Sequence, residues 1–184
     1  PTIIVKYSVA PLQARLTQPF RIASGQHRML NNLLFTVELS GGIIGCGEAA
    51  IAPHITGETV GRTRLNLHAM GKELVGKNVF DYAVLAPYLH ALFPGNTAAV
   101  AAGEMALLDA LARYENRPLM DYFSKACFTD TIFYGAAIPL GNVEVVEKIS
   151  ERIKALGISK IKLKLGHDYA HNQILCEIVD RVYS

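Results

Sequence analysis

Lys160, Lys162 and Lys164 occupy every second position of the run Lys160-Ile161-Lys162-Leu163-Lys164-Leu165-Gly166. A repeat of two is that of a β-strand, with the three amines on one face and Ile161, Leu163 and Leu165 on the other. Ammonium groups on a shared face repel one another. If that face is also closed to water, repulsion and desolvation both favour the neutral amine. A neutral amine near pH 7 is a base able to take a proton from carbon. Taken alone, the stripe fits two settings: the solvated face of an edge strand, where charge deters aggregation, or an enclosed face where one lysine does chemistry.

The neighbouring elements bear on that choice. Thr131 to Ile138 is rich in β-branched and aromatic residues and reads as a short strand. Asn142 to Leu156 reads as a helix, with Asn142 as N-cap, Val145, Ile149, Ile153 and Leu156 at helical spacing, and Gly157 as its stop. After the lysines, Asp168 to Val182 is again helical, with Ile174, Ile178 and Val182 along one face. Strand, helix, strand, helix is the signature of parallel strands covered on both faces. In barrels of that kind, chemistry sits at the C-terminal strand ends. Lys164, next to the strand end and Gly166, is the best-placed base.

Other chemistry-bearing residues are weaker candidates. His167 and His171 are four apart with Asp168 between them, a spacing suited to two metal ligands on one helix face. Asp168 serves equally as the N-cap of the following helix, and no third ligand can be named. Cys46, Cys127 and Cys176 form no CxxC pair, which argues against a zinc site or disulfide framework. No positioned base marks any of them as a nucleophile.

Composition narrows the class. The chain has 184 residues, 51% of them hydrophobic, and 18 basic against 16 acidic residues for a net charge of +2. That balance gives no reason to invoke nucleic acid or an anionic membrane. No run approaches the length of a membrane span, and no signal-peptide pattern opens the chain, so a cytoplasmic protein with reduced thiols is expected.

The first fifty residues read as an antiparallel meander. Its strands are Thr2–Ala10, Leu33–Leu39 and Ile43–Ala50, with a hairpin turn at Gly41-Gly42. Arg15 to Arg28, with Pro19, Ser24 and Gly25, reads as a loop holding at most a short strand. A second loop, Ala52 to Glu58, leads into a helix striped by Val60, Thr63, Leu67, Met70 and Leu74. Helices are expected over Phe80–Leu92, with Pro87 a kink or restart, over the Ala-rich Thr97–Tyr114, and over Leu119–Ser124. Glu104 and Asp109 in the Ala-rich helix read as structural carboxylates. The pattern changes near residues 125–130, so the expected domains are 1–128 and 129–184.

Four ordered segments carry a resemblance: Gly45-Cys46-Gly47-Glu48-Ala49, Ile55-Thr56-Gly57-Glu58, Ala101 to Asp109, and Lys162-Leu163-Lys164-Leu165-Gly166. Together they resemble the enolase superfamily in its muconate-lactonizing-enzyme-like branch, nearest to dipeptide epimerases of the L-Ala-D/L-Glu type. The resemblance implies an α+β capping domain, an antiparallel meander plus helical bundle, followed by the first βαβα portion of an incomplete (β/α) TIM-like barrel. It implies an isomerase in which Lys164 exchanges the substrate α-proton and Lys162 assists. The two loops become lids, with Arg21, Gly25, His54, Ile55 and Thr56 as substrate-contact candidates and Arg28 a further possible carboxylate partner. Gly25 stands where Ala-Glu epimerases place a carboxylate-binding arginine, a departure from acidic-dipeptide preference.

The same resemblance implies Mg2+ in an intact parent, bound by acidic residues at later strand ends, and a second lysine opposite the first. A full barrel takes about 250 residues, so neither is expected within this chain, which would be inactive alone. The implied partner is a dipeptide or related carboxylate. Self-association through the open barrel edge is also expected. A muconate cycloisomerase or o-succinylbenzoate synthase-like member is the enzymatic alternative, and a non-catalytic capping or interaction module the other.

Overall fold

A computed structural model of the chain describes residues 1–22, 25–123 and 131–184. The chain divides into two compact units, one of Pro1–Ala14 with Leu30–Cys127 and the other of Arg15–Met29 with Phe128–Ser184.

The first unit is α+β. Strands β1 (Ile4–Ile22), β2 (Gly25–Leu39) and β3 (Ile44–Ala49) form a sheet in the order β1-β2-β3, with Arg15–Ile22 of β1 and Gly25–Met29 of β2 counted in the second unit. Side-chain pairs Ser8–Thr36 and Gln13–Asn31 show β1 and β2 running in opposite directions. β2 and β3 pair antiparallel from Leu33↔Ala49 to Glu38↔Ile44. Gly42 makes the turn between them at φ 81°, a conformation that glycine adopts without a Cβ clash. Alternation in β2 buries Leu33, Phe35, Val37 and Leu39 completely.

Between sheet and helices the sequence reading needs one correction. Arg15 to Arg28 is not a loop: β1 runs on to Ile22 and β2 starts at Gly25. The turn residues Pro19 and Gly25 sit within or at the start of strands. Cross-strand pairing of a long hairpin overrides their local preference.

Five helical elements follow: α1 (Pro53–Thr56), α2 (Val60–Leu74), a 3-10 turn at Val79–Asp81, α3 (Tyr82–Leu92) and α4 (Thr97–Glu115). Pro87 lies inside α3. A 3-10 turn at Leu119–Tyr122 stands where the short helix was expected, and Ser124 lies outside the described residues. The predicted stripe of α2 holds, with Thr63, Leu67, Met70 and Leu74 buried. α4 is buried on several sides, as its alanines imply. It lies directly on β3, where a Cβ on Gly45 would collide with Ala106 O and one on Gly47 with Ala102 O.

The second unit carries β4 (Gly135–Ile138), α5 (Val143–Ala155), β5 (Lys160–Leu163) and α6 (Tyr169–Tyr183). β4 and β5 are parallel neighbours, Gly135 opposite Lys160 and Ile138 opposite Leu163. The strand expected from Thr131 begins only at Gly135. Asn142 and Asp168 cap α5 and α6, accepting from Val145 N and His171 N. The helix stripes match the sequence reading only at Ile153 and Ile178, which are buried as expected. In α5 Val146, Ser150 and Ile153 are buried while Val145 and Leu156 are exposed; in α6 Leu175, Ile178 and Val179 are buried and Ile174 is exposed. Both helices have adjacent apolar residues, and only packing on Ile138 decides which face turns inward.

Among the described residues, no helix is long and apolar enough to cross a membrane.

Candidate active site

β5 sets the lysines by alternation, and its parallel neighbour sets where the strand ends. Lys164 N donates to Ile138 O at 3.0 Å, one step beyond the assigned strand, so Lys164 stands level with the C-terminal end of β4. It is half-buried, whereas Lys162 is exposed. The enclosed face expected from the sequence is therefore not formed by β4 and β5 alone. Lys160 stands apart from the pair: its amine lies 5.8 Å from the centre of the Phe133 ring, a cation–π placement that fits a structural role.

The histidine cluster after β5 has other work. Asp168 caps α6, and His171 Nε2 bonds Gly141 O at 3.0 Å, so neither is a free ligand. His167 is exposed. Among the described residues, no group of three or more His, Cys, Asp or Glu converges to hold a metal ion. The described residues thus do not fit a magnesium site.

The second loop is built around a buried carboxylate. Glu58, 4% exposed, accepts from Thr97 Oγ1 at 3.1 Å, Ala98 N at 3.2 Å and Thr56 Oγ1 at 2.9 Å. Burial raises its pKa, but the hydrogen bonds from Ala98 N–H and the Thr56 and Thr97 hydroxyls outweigh burial and hold it below the ordinary glutamate range. Ala98 is in the first turn of α4, where free N–H groups favour negative charge. The loop is thereby tied to α4, and α1 presents His54 and Ile55 at its surface, with Ile55 75% exposed. Thr56 is exposed, and its hydroxyl donates to Glu58 Oε2 at 2.9 Å, with Ala52 O at 3.4 Å.

Of the hairpin candidates, Arg21 belongs to β1 and Gly25 opens β2, but the Arg21 side chain lies outside the described residues. Arg28 is exposed. Glu104 pairs with His90, and Asp109 accepts from Cys46 N at 2.9 Å while its two carboxylate oxygens share the Nε–H of Arg113 at 3.0 and 2.9 Å. Each carboxylate thus has partners within the first unit. Cys46 and Cys176 are free and exposed, and Cys127 lies outside the described residues.

The inward hydrogen bonds of several polar residues that organise these elements escaped the sequence reading. Asn32 is 6% exposed inside β2; its Nδ2 donates to Glu48 Oε1 at 2.5 Å and its Oδ1 accepts from Ile51 N at 3.2 Å. Asn96 is fully buried between Thr63 and Asn66. Asn172 bonds both backbone groups of Gly166. Asn96 stands at the N-cap of α4, and the partners of Asn32 and Asn96 lie 16 or more positions away, beyond any local signal.

Residues 4–123 match the family described as mandelate racemase / muconate lactonizing enzyme, N-terminal domain. A hydrophobic dipeptide epimerase of Citrifermentans bemidjiense is 36% identical over 85% of this chain and 44% of its own length. An aromatic dipeptide epimerase of Herpetosiphon aurantiacus is 35% identical over 94% of this chain and 48% of its own. Among solved structures, a dipeptide epimerase from Methylococcus capsulatus complexed with Mg and the dipeptide L-Arg-D-Lys superposes with a TM-score of 0.89 at 27% identity, over 98% of this chain and 51% of that one. The chain thus spans about half the length of the relatives it matches.

Proposed function

From the premise that this chain belongs to the mandelate racemase / muconate lactonizing enzyme family of the enolase superfamily, we propose that it is the capping domain and first βαβα segment of a dipeptide epimerase. The observation that carries the reading is the half-buried Lys164 at the C-terminal end of a parallel strand, with Lys162 on the same face.

In the proposed reaction the α C–H bond of the substrate breaks. Its electron pair moves into the adjacent carboxylate, and the proton passes to the Lys164 amine. Lys162, two residues back on the same face, adds positive charge there that attracts the substrate carboxylate. Return of a proton to the opposite face of the carbon completes the epimerisation, which needs an acid opposed to Lys164. The described residues assign no such group and do not fit the Mg that a relative binds. The 184-residue chain by itself is therefore proposed not to turn over.

We assign substrate contact to Arg21, Gly25, His54, Ile55 and Thr56. The exposed apolar side chain of Ile55 and the absence of an arginine at Gly25 favour an apolar dipeptide over an acidic one. The names of two relatives, hydrophobic and aromatic dipeptide epimerase, support that preference.

The test is α-hydrogen exchange in deuterated water, using the complete product of the gene with Mg2+ and a panel of dipeptides. Exchange is expected with apolar dipeptides ahead of Ala-Glu, and Lys164→Ala should cut it at least about 10²-fold for one enantiomer. Unchanged exchange of both enantiomers in that variant would remove Lys164 from the mechanism.

A further inference from the structure

Gly166 follows Lys164 by two residues, in the turn where β5 has ended and α6 has not begun. Glycine has more backbone freedom than any other residue, so a turn built on it transmits motion to its neighbours unless something holds it. Space does not demand glycine here, since an added Cβ would meet Leu140 only at 3.4 Å and 3.5 Å, ordinary contact distances. The turn is held by a side chain. Gly166 N donates to Asn172 Oδ1 at 2.9 Å, and Asn172 Nδ2 donates to Gly166 O at 2.9 Å. An amide matched to a peptide in this two-point way satisfies both backbone groups that the strand has left unpaired, and it fixes the peptide's orientation as well as its position.

Asn172 is itself anchored. It lies in the first turn of α6, three residues before Leu175, which is fully buried with Ile138, Val146, Ile153 and Val179. Its neighbour His171 reaches from the same turn to Gly141 O, just beyond β4. One helical turn therefore holds the chain leaving both parallel strands. Lys164 is pinned on its other side, through its N–H, to Ile138 O.

We propose that Asn172 is a positioning residue for Lys164: its amide clamps Gly166 and so fixes the backbone from which the Lys164 amine projects. The functional weight of this inference rests on the acid/base reading of Lys164, since a displacement of about 1 Å at a reacting group can cost on the order of 10²-fold in rate.

The test compares Asn172→Ala, which removes both bonds, with Asn172→Asp, which keeps the acceptor for Gly166 N–H and loses the donor. In the 184-residue chain, NMR should show loss of protection at the Gly166 amide and increased mobility of Lys164, with Lys160 and the amides of α4 unchanged. In the complete gene product, kcat should fall at least about 10-fold in Asn172→Ala and less in Asn172→Asp, with KM within about 3-fold of wild type. A Lys164 as ordered as in wild type after the Gly166 protection is lost would overturn the proposal. So would unchanged kcat in both variants. If Asn172→Ala does not fold, Asn172→Asp carries the comparison. Should Lys164→Ala leave exchange intact, the acid/base reading falls, while the NMR comparison still decides whether Asn172 holds Lys164.

Discussion

At the scale of single residues, the most consequential group outside β5 is Glu58, a buried carboxylate satisfied by one backbone and two hydroxyl donors. Replacing it by glutamine leaves donors facing a weaker and partly mismatched acceptor, so Glu58→Gln should lose roughly 1–3 kcal/mol of stability at pH 7. The pH dependence follows from the direction of its shift. A glutamate in the unfolded chain titrates near about 4.3, and the folded value lies lower. The unfolded state thus binds its proton first as pH falls. Stability from the carboxylate is complete above the unfolded value and is lost as pH drops through the folded one. Urea unfolding at pH 7 and at pH 3 should show the gap between wild type and Glu58→Gln narrowing at acid pH. A gap that stays constant would mean that the charge contributes nothing. Glu58 was legible in the sequence only as part of a short motif. Its burial was not, because the donors come from Thr97 and Ala98, some forty positions away.

At the scale of elements, β3 and α4 form the closest contact in the first unit. The sequence shows small residues in both, at Gly45 and Gly47 and at Ala102, Ala106 and Ala110, and the structure shows that these face each other. Gly47→Ala would push a methyl group into the Ala102 carbonyl, backbone that cannot swing aside. It should destabilise the chain by about 1–3 kcal/mol or more, measured as a shift in the denaturation midpoint. Gly61→Ala is the control, since nothing lies within 4 Å of its added Cβ; equal loss in both variants would contradict the close-packing account. Helix and strand identities in the second unit were readable from periodicity, and so were the caps Asn142 and Asp168. The hairpin of β1 and β2 was not. Pro19 and Gly25 carry turn signals there, and the cross-strand pairing of β1 with β2 overrides that local preference.

At the scale of the whole molecule, the two units differ in how much core they hold. The first buries a large cluster from sheet and helices, whereas the second buries Ile138, Val146, Ile153, Leu175 and Val179. Among the described residues, β5 pairs only with β4, and Phe133, Tyr134 and Leu156 are largely exposed. A parallel strand with one edge unpaired, in a unit with exposed apolar residues, is a template for association. The 184-residue chain should therefore show a sedimentation coefficient that rises with concentration, and a monomer at all concentrations would count against that. The sequence by itself determined the order of elements, the lysine alternation and the family, because these depend on residue type and spacing along the chain. Tertiary structure alone decided the extent of the long hairpin, which of two adjacent stripes each helix buries, and which asparagines hold the turns. Those outcomes depend on which distant surfaces meet, and spacing along the chain carries no record of that.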